Sequence, residues 1–205
     1  PSHTRSMLRT MPRTRITAPL LCLLTLLPLS ACASSSRDDG PKPPTLAEWD
    51  DLSPIGHEPV YLGAQPSEAA LDQFLSRGGR MVINLRTDKE MAYLPYYDRA
   101  VTSRGLSYVR IPSSGSTLGP ATVAALDDAL AGAGDRPVLL HCASGGRATY
   151  AWAMRKMTHE GLTADEAAAW VAEQRGEISD SGRERLQNFA TDLTDGESAP
   201  EGGED

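Results

Sequence analysis

The sequence predicts a single α/β domain in which a mainly parallel central sheet is flanked by helices. Three observations carry this. The continuous apolar runs Met81–Leu85 and Pro137–His141 have the length and content of strands covered on both faces. Helix-forming segments of ten or more residues separate such runs, the spacing of crossovers between parallel strands. One apolar run also stops abruptly in Cys142, a small-residue turn and Arg147, and a helical pattern follows. That strand–loop–helix unit puts its loop at the carboxyl end of a strand, where open α/β sheets bind ligands.

In chain order, residues 1–31 read as a signal peptide. Arg9, Arg13 and Arg15 precede the apolar run Ile16–Leu29, which is short for a membrane span and suits a signal core. The run ends in Leu29-Ser30-Ala31-Cys32, which resembles the lipobox of bacterial lipoproteins, where cleavage precedes a cysteine that carries lipid. The expectation is a protein tethered to the membrane through Cys32, in the bacterial cell envelope, at the outer membrane facing the periplasm. Residues 32–48 then form a linker whose serines, prolines and charges cannot pack a core.

The globular domain is expected over residues 49–191. Pro59–Gln65 reads as a first strand. Ser67 caps a helix whose apolar stripe is Ala70, Leu71, Phe74 and Leu75, ended by Gly78-Gly79. After the Met81–Leu85 strand, Thr87 and Glu90 have capping-box spacing, and a helix is predicted from about Met91 to Ser103. Leu106–Ile111 is a third strand and Pro120 opens a helix to about Ala131. A fourth strand, Pro137–His141, leads through the cysteine loop into a helix to about Glu160. The capping boxes Thr163–Glu166 and Ser181–Glu184 start two more helices, ending near Arg175-Gly176 and Thr191. Residues 192–205 hold six acidic and no basic residues and read as a disordered acidic tail.

Composition narrows the function. The formal charge of −7 argues against nucleic acid as a partner. The four basic residues before Cys32 have no acidic counterpart there, so a chain cleaved before Cys32 carries 16 basic against 27 acidic residues, or −11. Cleavage also discards Cys22 and lipid occupies Cys32, leaving Cys142 as the free thiol. No His, Cys, Asp and Glu grouping has metal-ligand spacing, His57 and His159 included, and no cofactor is expected.

The chemistry therefore centres on Cys142. Backbone N–H groups of Ala143, Ser144, Gly145, Gly146 and Arg147 can converge on an anion, helped by the helix dipole, and such a site favours the thiolate over the thiol. Arg147 offers a planar fork to an oxyanion. Nucleophile, anion cradle and arginine clamp point to covalent catalysis on a tetrahedral oxyanion.

His141-Cys142-Ala143-Ser144-Gly145-Gly146-Arg147 is similar to the signature loop of cysteine-dependent tyrosine and dual-specificity phosphatases. Tyr61-Leu62-Gly63-Ala64-Gln65-Pro66 and Val82-Ile83-Asn84-Leu85-Arg86 resemble a bacterial branch, the phosphatase-like domain of beta-lactamase hydrolase-like proteins. The likeness covers roughly Pro59 to Gly176. It implies a protein tyrosine phosphatase-like fold, Cys142 as nucleophile through a phosphocysteine, Arg147 as oxyanion clamp and an aspartate as general acid.

Three departures stand out. Four residues separate Cys142 from Arg147, where the phosphatases have five and rhodanese sulfurtransferases have four. Ala148 follows the arginine where a hydroxyl is usual, with Thr149 one place on in a supporting position. The loop Ile111–Gly119 contains no Asp or Glu, which leaves Asp88 and Glu90 as candidate acids. Sulfur transfer and non-catalytic oxyanion binding thus stay open beside hydrolysis. His141 is expected to support the loop, favouring the thiolate if protonated, and Arg86 to be either a second cation of the pocket or a surface salt bridge.

Overall fold

The computed structural model describes residues 46–55 and 58–197, all within one compact unit, Pro41–Asp205. The expected signal peptide and Cys32 lie outside the described residues. Among the described residues seven strands form: β1 (Leu46–Ala47), β2 (Ser53–Ile55), β3 (Glu58–Gly63), β4 (Gln65–Pro66), β5 (Met81–Asn84), β6 (Ser107–Arg110) and β7 (Val138–His141). The helices are α1 (Glu68–Ser76), α2 (Asp88–Met91), α3 (Tyr97–Thr102), α4 (Pro120–Ala133), α5 (Gly146–Glu160), α6 (Ala164–Arg175) and α7 (Asp180–Glu197). The main sheet has the order β2-β3-β7-β5-β6, parallel except for the edge strand β2. The predicted α/β class with a mainly parallel sheet is the observed one.

β7 lies at the centre of that order, which explains its unbroken apolar run. Strand alternation sends Val138, Leu140 and Cys142 to the face packed with α4–α7, where Trp152, Met154, Val171 and Leu186 are buried. Leu139 goes to the opposite face, against Leu71 and Phe74 of α1 and Val101 of α3. Cys142 and His141 thereby leave the strand toward opposite sides of the sheet.

The caps form where their side chains reach a free amide. Ser67 accepts from Ala70 N–H, and Thr87–Glu90 and Thr163–Glu166 both close as capping boxes. Elsewhere tertiary contacts moved the boundaries. The helix expected over 91–103 is two helices, because Pro95 has no N–H to donate and its ring disfavours the helical conformation at Leu94. Leu46 and Ala47, expected in the linker, form β1 against β4, and Ala47 is buried. The last helix is capped by Ser179, whose Oγ accepts from Gly182 N–H, rather than by Ser181. It continues to Glu197 instead of stopping at Thr191. Leu193 extends the stripe of Leu186, Phe189 and Ala190 by one turn and packs on the core, so residues 192–197 are helical where a disordered tail is expected. Residues 198–205 lie outside the described residues.

Candidate active site

β7 delivers His141 and Cys142 to the carboxyl edge of the sheet, and the loop 142–145 turns into α5. The loop is fastened to the end of β3. Cys142 N–H donates to Gly63 O at 3.3 Å, Gln65 N–H donates to Ala143 O at 3.2 Å, and Ala64 bridges Ser144. Gly145 has φ 86°, a left-handed conformation that side chains rarely adopt, so glycine is the residue that fits this turn. Thr149 holds the turn from behind, its Oγ1 donating to Gly145 O at 3.2 Å. Among the described residues, the amides of Ala143, Ser144, Gly146 and Arg147 donate to no protein acceptor. They remain available to an anion, and α5 is long enough for its dipole to assist.

Arg147 is held from three sides. Its Nη1 donates to Ser113 O at 2.6 Å, Leu85 O at 3.2 Å and Glu90 Oε2 at 2.8 Å, while Nη2 donates to Glu90 Oε1 at 2.6 Å. Burial opposes the Arg147 charge, and the bonds to Glu90 with the electrostatic influence of the neighbouring groups outweigh it and raise its pKa. Burial likewise pulls Glu90 upward, but its bonds to Arg147 and Thr87 bring it down to about 2. Glu90 is therefore a permanent carboxylate and has no proton to donate at neutral pH.

Asp88, the other candidate acid, points elsewhere. Its carboxylate is 82% exposed and accepts from Arg110 Nη2 at 2.6 Å, without contact to the cysteine loop. The expected general-acid role is not served by this placement, because α2 turns Asp88 outward and Glu90 inward. Loop Ile111–Gly119 contributes Ser113 O to Arg147 rather than an acid.

His141 is completely enclosed. Its Nε2 is 3.0 Å from Tyr97 Oη, and its Nδ1 is 3.2 Å from Cys142 O. Burial drives its pKa down to about 3, with Arg86 and Arg147 adding to the fall, so it is neutral and supports the loop without charging it. The protonated imidazole considered from sequence is excluded. Arg86 is not a surface residue either: it is 4% exposed, donates through Nη1 to Gln65 Oε1 at 3.3 Å and lies 3.9 Å from Glu90 Oε1.

Cys142 itself is 1% exposed. The described cavities beside it are lined by its neighbours and not by the thiol. One of about 240 Å³ borders Ser144, Gly145, Thr149 and Arg175, and an apolar one of about 340 Å³ borders Gln65 and Tyr97. The sequence did not single out Gln65, Tyr97 or Ser113, and Glu90 was legible as a helix cap and not as the partner of Arg147.

Residues 59–158 match the family profile described as beta-lactamase hydrolase-like protein, phosphatase-like domain. That is the family which the signature loop resembles. A beta-lactamase hydrolase-like protein of Xylella fastidiosa (strain Temecula1 / ATCC 700964) is 32% identical over 116 residues, covering 55% of this chain and 27% of that protein. The chain thus matches about a quarter of the length of these curated relatives. Among solved structures, a putative phosphatase of Neisseria meningitidis aligns with TM-score 0.54 at 24% identity, over 68% of this chain and 97% of that one. The structure of PTPMT1 in complex with PI(5)P aligns with TM-score 0.55 at 24% identity, over 73% and 100%. The likeness to that family lies in residues 59–158, and the fold of the domain is that of these solved phosphatase structures.

Proposed function

We propose that the protein is a cysteine-dependent phosphatase-like hydrolase of phosphate monoesters. The observation that carries this reading is the Arg147 guanidinium pinned by Glu90, Ser113 and Leu85, beside four loop amides without protein acceptors at the start of α5. The Cys142 thiolate attacks phosphorus, the S–P bond forms and the ester P–O bond breaks, and the leaving alkoxide or phenoxide takes its proton from solvent. Water then attacks the phosphocysteine, the S–P bond breaks, and phosphate leaves with the thiolate restored. Arg147 and the loop amides hold the equatorial oxygens through both steps. The PI(5)P in complex with PTPMT1 supports an oxyanionic substrate for this site. Export as a lipoprotein anchored to the cell envelope through Cys32 belongs to the same proposal and rests on the signal-like residues 1–31.

The test is hydrolysis of an aryl phosphate by the full chain under reducing conditions, wild type against Cys142→Ser. Turnover that disappears in a folded Cys142→Ser protein is expected, and equal rates would sink the reading. A second reading, sulfur transfer, is favoured by the four-residue spacing between Cys142 and Arg147. It predicts a gain of one sulfur in mass on Cys142 after thiosulfate treatment. Anion binding without any turnover would instead identify a non-catalytic oxyanion-binding protein.

A further inference from the structure

The loop between β6 and α4, residues 111–119, reaches the site through Ser113. This residue is buried, its N–H donates to Leu85 O at 3.1 Å, and its carbonyl accepts from Arg147 Nη1 at 2.6 Å. The turn that follows is held in shape from within. Thr117 Oγ1 accepts from Ser114 N–H at 2.7 Å, and Ser114 Oγ accepts from Thr117 N–H at 3.2 Å. Local bonds of this kind fix the form of a turn and not its position on the domain. Position comes from two neighbouring helices. Thr122 Oγ1 of α4 donates to Thr117 O at 3.2 Å, and Arg185 Nε of α7 donates to Gly115 O at 2.9 Å.

Arg185 lies 70 residues along the chain from Gly115 and outside the family-matched residues 59–158. Its guanidinium carbon is 5.2 Å from the centre of the Tyr150 ring, a cation–π contact with α5, the helix that carries Arg147. The adjacent Leu186 is fully buried and anchors α7 at this point. At Gly115 a Cβ would sit 3.2 Å from Arg185 Nη2, so the glycine admits the close approach of the guanidinium.

We propose that Arg185 is a positioning residue of this site: from α7 it clasps the 111–119 loop at Gly115 and so keeps the Ser113 carbonyl on Arg147. The inference rests on Arg147 being the oxyanion clamp, and not on whether hydrolysis or sulfur transfer follows. Ser113 O takes the shortest of the three bonds made by Arg147 Nη1. Gly115 stands two residues beyond Ser113 on the same loop, so a shift at the clasp passes directly to that carbonyl. A guanidinium that loses one fixed acceptor samples other orientations, and its remaining N–H groups meet an oxyanion less often in the bound geometry. A helix remote in the chain thereby sets the aim of the clamp.

The experiment is calorimetric binding of inorganic phosphate to the full chain, with aryl phosphate turnover and amide hydrogen exchange recorded on the same samples. Arg185→Met keeps an apolar stem against Tyr150 and removes the donor. It should weaken phosphate binding and lower kcat/KM by about three- to tenfold each, well under the hundredfold that a 1 Å misplacement can cost. Exchange should quicken in the 111–119 loop and stay unchanged in β5 and β7. Arg185→Lys, which restores a donor and a cation, should recover most of the loss. Arg183→Met, at an exposed position of the same helix, should match the wild type in all three measurements. A role confined to docking α7 would lower the melting temperature and leave the phosphate affinity of the folded protein unchanged. That result, or equal affinities for the Lys and Met variants, would overturn the proposal. If Arg185→Met does not fold, Arg185→Gln replaces it with the same two outcomes. Phosphate binding without turnover in the wild type ends the hydrolase reading and leaves the affinities decisive for Arg185, while a wild type that binds no phosphate overturns both.

Discussion

Glu90 grips Arg147 at two points, Oε1 to Nη2 at 2.6 Å and Oε2 to Nη1 at 2.8 Å, while the same carboxylate caps α2 through Thr87. One side chain therefore ties the start of a helix to the orientation of the oxyanion clamp. The pairing spans 57 residues of chain and sets which N–H groups of Arg147 remain for a ligand.

Glu90→Gln keeps the size and much of the capping but gives up the two-point ion pair. The freed guanidinium should lower kcat/KM for an aryl phosphate on the order of tenfold to a hundredfold, as expected when a positioning contact is lost. Phosphate-release kinetics on a variant with native circular dichroism checks this.

The Glu90 pKa also makes a stability prediction. Its folded value of about 2 lies below the ordinary 4.5, so its contribution is present above pH 4.5 and is lost as pH falls toward 2. A shift of that size corresponds to about 3 kcal/mol as an upper figure. Acid unfolding of Glu90→Gln should be correspondingly flatter in that window when followed by circular dichroism.

His141 loses its contribution in a higher window. Its pKa falls from 6.5 to about 3 on folding, so the unfolded chain binds the proton more readily, and stability should decline as pH drops from 6.5 toward 3. Melting temperatures measured between pH 7 and pH 4 should fall in the wild type, and His141→Asn should reduce that slope. Tyr97→Phe, which removes the partner of His141 Nε2, should cost about 1 kcal/mol.

With Asp88 on Arg110 and Glu90 locked as a carboxylate, neither candidate acid protonates the leaving group. Hydrolysis should then depend steeply on leaving-group acidity, with activated aryl phosphates cleaved and alkyl phosphates nearly inert. Asp88→Asn should stay within about twofold of wild type. A large loss of kcat/KM in Asp88→Asn, or comparable rates on aryl and alkyl esters, would show that an acid does act.

What was legible in the sequence was local. The runs Met81–Leu85 and Pro137–His141 revealed central strands because a strand buried on both faces is apolar at most positions. Ser67, Thr87 and Thr163 revealed helix starts because a cap is decided within four residues. The unit Cys142–Arg147 showed itself because strand, glycine turn and helix follow one another in the chain. Pro95 is equally local, and it separates α2 from α3.

The sequence by itself thus determined the α/β class, the central strand and the loop that carries the cysteine, since neighbours in the chain make those contacts. Only the tertiary structure decided which charges meet. Asp88 and Glu90 stand two residues apart on α2, and their opposite directions hand one to Arg110 and the other to Arg147. Arg86 could have been a surface residue until packing enclosed it against Gln65, and Leu193 extends α7 because the core reaches that far. Such pairings depend on long-range geometry in a medium of low dielectric, where burial and distance, and not chain order, set the energy of a charge.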